Sequence, residues 1–145
     1  MSQARPLGDP PEPGQVAALK QELHEQLENF YRKNFAGILQ KTPTLVGTAG
    51  SVTTLAAMAQ EMTVYEPQRV NNYILTKSQV AELAERLASL PEAARARLPG
   101  LEPAKAGVMV AGALVVQTVL EVFGQPSLIT IDSGLLEGVL AELAG

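Results

Sequence analysis

An α/β fold with a small parallel sheet is predicted by three observations. The stretch Thr44-Leu45-Val46-Gly47-Thr48-Ala49-Gly50-Ser51 passes from a short apolar run through a glycine-bounded polar turn into an alanine-rich segment, the order of strand, tight turn and helix. Residues 128–131, then Asp132-Ser133-Gly134, then residues 135–143 repeat that order near the other end of the chain. Segments of helical periodicity lie between the two units, as crossovers between parallel strands require. This gives two or three parallel strands against five or six helices, fewer strands than a parallel sheet covered on both faces normally has. The expected consequence is an open sheet edge, at residues 44–47 or 128–131: either another copy or another polypeptide completes it, or the segment is part of a larger domain.

Residues 1–14, rich in proline, glycine and acid, read as an extended lead-in without the basic-then-apolar pattern of a signal peptide. Over residues 15–39 the apolar positions Val16, Leu19, Leu23, Leu27, Phe30 and Ile38 recur at steps of three and four or their sums, which predicts an amphipathic helix. Its rings, Phe30, Tyr31 and Phe35, are expected in the core rather than on a base-stacking surface. A strand at 44–47 and a helix at 51–62 follow, then an irregular connection at 65–73 and a short extended piece at 73–75. Thr76 with Gln79 has the spacing of a capping box, and Val80, Leu83, Ala84, Leu87 and Leu90 form the buried stripe of the helix it opens. Pro91 begins a short basic turn or helix that ends at Pro99-Gly100. Residues 102–123 read as one long helix, opened by Pro103 and stopped by Gly124. Gly107 and Gly112 inside it each cost roughly 1 kcal/mol against alanine, so something must approach that face closely, either a neighbouring element or a ligand over Gly112.

Composition excludes several functions. At 145 residues one domain is expected, and with 46% hydrophobic but only 4% aromatic residues its core must be built from Leu, Val and Ala. A net charge of −4 with 11 scattered basic residues argues against DNA or RNA as partner. The absence of cysteine removes disulfides, thiolate metal sites and a cysteine nucleophile, and fits a reducing, cytoplasmic compartment. His24, the single histidine, lies among Glu22, Glu25 and Gln26 and reads as a solvated surface group, so no metal centre is expected from histidines. The longest apolar run, residues 106–116, is shorter than the ~20 residues that span a bilayer, and no membrane association is expected.

Chemistry concentrates at Gly47, Thr48, Ala49, Gly50 and Ser51. The glycines permit a tight bend and close approach of a ligand to the main chain. Thr48 and Ser51 are good helix caps, and the amides of such a turn with the positive end of a helix attract anions. The pattern is neither the dinucleotide fingerprint nor a P-loop, and a plain strand-to-helix bend explains it as well. Asp132 stands where loops at strand ends meet ligands, but an aspartate there also caps helices.

Taken in order, Asp9-Pro10-Pro11, the amphipathic helix, Leu45 to Ala56, Leu75-Thr76, Pro99-Gly100-Leu101, Ala111-Gly112-Ala113 and Ile131-Asp132-Ser133-Gly134-Leu135-Leu136-Glu137-Gly138 resemble the exopolyphosphatase and guanosine pentaphosphate phosphohydrolase family, Ppx/GppA, from about Gly8 to Leu143. The resemblance implies an incomplete ribonuclease-H-like half of the actin-like ATPase superfamily, with residues 15–145 as the C-terminal part of the phosphatase domain. It implies hydrolysis of a terminal phosphoanhydride of polyphosphate or pppGpp, with Mg²⁺ and a glutamate base. The base and the first phosphate loop are expected in a missing N-terminal half, so no catalytic residue is assigned here and the isolated chain is expected to be inactive. Were it active, Glu61, Glu66 or Glu137 would have taken the base role. The resemblance places Gly47 to Ser51 on the phosphate or nucleotide cleft, with Gly112 and Asp132 as further cleft residues. Three departures are visible: Gly47-Thr48-Ala49-Gly50-Ser51 for Gly-Thr-Gly-Gly-Thr, Lys105-Ala106-Gly107 for Arg-Ala-Asp, and Leu136 for arginine. The alternative is a non-catalytic binding or assembly module that pairs through its open sheet edge.

Overall fold

The structure, a computed structural model, describes residues 7–37, 43–48 and 50–132. The first helix, α1 (Pro13–Asn34), starts two residues earlier than its periodicity suggests because Pro13 occupies the first turn, where its missing N–H costs nothing. The Gln15 side chain reaches back to accept from the Gly8 and Glu12 amides, both at 3.0 Å, and so pins the preceding segment. The helix ends short of residue 39, and Gly37 follows with φ +81°. Leu19 and Leu23 are buried, Tyr31 and Phe35 pack on Phe123 with ring centroids 5.2 and 5.4 Å apart, and Phe30, expected in the core, is 51% exposed.

Three strands, β1 (Val46–Thr48), β2 (Ile74–Thr76) and β3 (Ser127–Ile131), form one sheet in the order β1-β3-β2. The two strand-loop-helix units supply β1 and β3, which pair in parallel with Val46 opposite Ile129. The third strand differs from expectation: β2 runs antiparallel to β3, with Ile74 also opposite Ile129. The reversal comes from Asn72, whose φ of +67° turns the chain while its N–H donates to the Thr130 carbonyl at 2.7 Å. Asparagine adopts that conformation more readily than most residues. With β3 paired on both sides, residues 128–131 offer no free edge.

Helices α2 (Gly50–Ala59), α4 (Lys77–Ala88) and α6 (Met109–Val122) meet around Leu55, Leu87, Met109, Leu114 and Leu120, all essentially inaccessible. Single turns, α3 (Pro67–Val70) and α5 (Glu92–Arg95), lie in the connections. The Thr76–Gln79 capping box forms as the spacing predicts, with Gln79 N–H donating to Thr76 Oγ1 at 3.1 Å and Thr76 N–H to Gln79 Oε1 at 3.0 Å. The long helix expected over 102–123 is instead a 3₁₀ turn, Pro103–Lys105, a bend, and then α6. Gly107 therefore lies in the bend, where it does not weaken a helix, and only Gly112 is helical.

Candidate functional site

The first turn of α2 separates two cavities. On one side is a polar cleft of about 490 Å³ lined by Gly50, Thr53 and Thr54 of α2, Tyr65, Glu102, Lys105 and Asp132. On the other is an apolar groove of about 560 Å³ whose walls include Gly47, Thr48, Gly50, Ser51 and Gly112.

Gly100 explains how Lys105 reaches the cleft. Its φ is +86°, and a Cβ there would stand 2.6 Å from the Ala57 carbonyl carbon and the Met58 nitrogen, so only glycine lets the chain lie directly on the α2 backbone. The following residues then cross α2, with Leu101 buried. Lys105 Nζ arrives 3.5 Å from Thr54 Oγ1, to which it donates, and 3.9 Å from Glu102 Oε2. Thr53 Oγ1, one residue earlier, donates to the Gly50 carbonyl at 3.3 Å. A cation, two hydroxyls and the amide end of a ten-residue helix thus share one wall.

The opposite wall is held by a long-range pair. Tyr65 Oη donates to Asp132 Oδ2 at 2.8 Å, joining the loop after α2 to the carboxyl end of β3. Asp132 N–H in turn donates to Asn71 Oδ1 at 3.3 Å. Burial, followed by the hydrogen bond to Asp132 and its negative charge, pushes the Tyr65 hydroxyl up to about 12 against a smaller opposing hydrogen bond from Thr53. The phenol is therefore neutral and available as a donor at every physiological pH.

The sequence-predicted residues divide between the two cavities. Gly50 and Asp132 line the polar cleft, whereas Gly47, Thr48, Ser51 and Gly112 line the groove, with Gly50 bordering both. Ala49 lies outside the described residues. The close approach expected at Gly112 is made by a neighbouring helix: a Cβ there would stand 2.5 Å from Ser51 Oγ. Likewise a Cβ at Gly47 would meet Val52 at 2.8 Å. Lys105 and Tyr65 were not legible as site residues, since one lay inside an expected helix and the other in an irregular connection. The Pro99-Gly100 pair was the signal for the turn that carries Lys105.

Neither described glutamate considered as a base stands in this cleft. Glu61 borders a smaller cavity of about 230 Å³ with Gln79, Glu82 and Arg86, and Glu66 is paired with Arg69 at 2.7 Å on the surface. Glu137 lies outside the described residues. Among the described residues no three carboxylate or histidine groups converge as a metal cluster. No described helix is long and apolar enough to cross a membrane.

Comparison with known proteins connects this geometry to a family. The profile of the Ppx/GppA phosphatase family matches residues 8–145. Exopolyphosphatase 2 of Mycobacterium tuberculosis is 31% identical over 141 residues, covering 94% of this chain and 43% of that protein. The bifunctional 3-dehydroquinate synthase/phosphatase of Fusobacterium nucleatum is 25% identical over 124 residues, covering 86% of this chain and 17% of that protein. Among solved structures, the Aquifex aeolicus Ppx/GppA phosphatase in its type II variant superposes with a TM-score of 0.79 at 31% identity, covering 93% of this chain and 43% of its own. The chain thus spans under half the length of these relatives. The α/β arrangement of helices on a small mixed sheet is that of the corresponding part of the actin-like ATPase fold, and the chain belongs to the Ppx/GppA phosphatase family.

Proposed function

We propose that this chain contributes one wall of a phosphate-binding cleft to a Ppx/GppA-type phosphatase that hydrolyses terminal phosphoanhydrides of inorganic polyphosphate or guanosine pentaphosphate. The observation that carries this reading is the convergence of Lys105, Thr53, Thr54 and the start of α2 on the 490 Å³ cleft. Lys105 supplies a charge that is only partly screened, its side chain being 36% exposed, and the helix amides supply directed donors. Such groups are already in place when a phosphoryl group arrives, and electrostatic preorganisation of this kind is the main way proteins assist phosphoryl transfer. Glu102 stands beside Lys105 and Asp132 is held by Tyr65, so the cleft favours a phosphate that seats on Lys105 and brings a counter-cation to offset the two carboxylates.

The wall holds and orients phosphate, and the base that activates water comes from elsewhere in the intact enzyme. The isolated 145-residue chain is therefore expected to release phosphate from polyphosphate or pppGpp at a negligible rate with Mg²⁺ present. A chimera in which this chain replaces the matching segment of the M. tuberculosis relative is expected to hydrolyse polyphosphate, and Lys105→Met in the chimera to raise KM. Substantial turnover by the isolated chain would overturn the division of labour. A chimera that folds and stays active with Lys105→Met at unchanged KM would overturn the role of the cleft.

A further inference from the structure

The helix α6 (Met109–Val122) begins without local support. Its N-cap, Val108, makes no side-chain capping bond, and its first turn carries no acidic residue. The first amides of a helix have no partners within it, and together they carry a partial positive charge. A carboxylate does stand beside this end, from another element: a Cβ at Gly107 would lie 3.4 Å from Cδ, Oε1 and Oε2 of Glu92. Glu92 is exposed, yet its backbone is fixed from a third place in the chain. Its N–H donates to Asp9 Oδ1 at 2.6 Å, and the same oxygen pairs at 3.3 Å with Arg95, which is 4% exposed. A buried guanidinium left without its carboxylate would be strongly unfavourable, so Asp9 is held where it can fix α5.

The bend that Glu92 faces is the one that delivers Lys105. The 3₁₀ turn Pro103–Lys105 leads through the fully buried Ala106 to Gly107, and Val108 N–H donates back to the Lys105 carbonyl at 3.1 Å. We propose that Glu92 is a positioning residue for Lys105: its carboxylate, aligned by Asp9, complements the uncapped start of α6 and so fixes the Lys105 bend against α2. A Cβ at Gly107 would make only ordinary contact with this carboxylate, so position 107 can be substituted without displacing Glu92. The functional part of the proposal rests on the reading of Lys105 as a phosphate ligand, whereas the structural part does not.

Two independent readouts test it. Amide hydrogen exchange over residues 106–111 is expected to quicken about two- to fivefold in Glu92→Gln, the range that one helix-end charge supplies, with exchange in α4 unchanged. Gly107→Asp is expected to reverse sign with background. In the otherwise native chain it sets a second carboxylate against Glu92 and quickens exchange; in Glu92→Gln it restores the missing charge and slows exchange. Isothermal titration with inorganic triphosphate is expected to show a weaker dissociation constant in Glu92→Gln by a similar factor, and a larger loss in Lys105→Met. Unchanged exchange at 106–111 in Glu92→Gln, or the same sign for Gly107→Asp in both backgrounds, would overturn the assignment of Glu92. Exchange that responds as expected, with triphosphate affinity indifferent to Lys105→Met, would overturn the phosphate role of Lys105 and with it the positioning claim.

Discussion

Gly100 and Gly112 both exclude a side chain, but for different physical reasons. At Gly112 the obstacle is the Ser51 hydroxyl, which sits on a side chain that can be shortened. Gly112→Ala is expected to destabilise the chain by about 1–3 kcal/mol, the usual cost of overpacking, with much of the loss recovered in a Ser51→Gly double variant. At Gly100 the obstacle is the α2 backbone and φ is +86°, so Gly100→Ala is expected to cost more and to find no rescuing partner. Chemical denaturation of these three variants measures both outcomes. Tyr65 gives a separate test by pH. Its hydroxyl is raised to about 12 from 10.0, so between these values the folded chain holds a proton that the unfolded chain has released. Its contribution to stability is complete below pH 10.0 and is lost as pH rises through about 12. Absorbance titration of the three tyrosines should show one late phenol that disappears in Tyr65→Phe. The Tyr65–Asp132 contact spans 67 positions, and nothing local in either segment announces it. By contrast Gly112 was legible as a close approach, because glycine inside a helix is unfavourable enough to need a reason.

Helix α4 shows which elements a sequence reveals. A capping box is complete within four residues, so the Thr76 and Gln79 types at that spacing sufficed to place the start of the helix. Thr76→Ala is expected to lower stability by about 1 kcal/mol, readable as a shift of the denaturation midpoint at unchanged slope. The stretch 102–123 shows the opposite case. Apolar residues and a first-turn proline continue through it, so periodicity joined two elements that the buried Ala106 and the bend at Gly107 separate. The break leaves Lys105 in the 3₁₀ turn that the Gly100 wedge sets across α2, rather than in the body of α6. The direction of β2 was equally hidden: three residues carry no record of which way a strand runs, and the reversal lies in Asn72 before it.

At the scale of the molecule, the strands of the two expected strand-loop-helix units pair in parallel, while the loop from residue 133 and the helix expected over 135–143 lie outside the described residues. The turn from Gly47 to Ser51 was legible as a focus, but its residues serve two surfaces. Gly47 and Ser51 pack β1 and α6 around the start of α2, while Gly50 and the threonines beyond it face the polar cleft. The packing residues thereby fix the helix whose first turn lines the cleft, which joins the packing role and the proposed binding role of one motif. Lys105, placed by the glycine wedge at Gly100, gives the cleft a charge, and the phosphate role proposed for it draws on family membership. The most direct measurement is an amide-resolved NMR titration of the isolated chain with inorganic triphosphate. The account predicts perturbations concentrated at Gly50, Thr53, Thr54 and Lys105, with an affinity that falls about tenfold in Lys105→Met. Perturbations confined to the apolar groove around Gly112 and Val115, or affinity unaltered by the loss of Lys105, would contradict it.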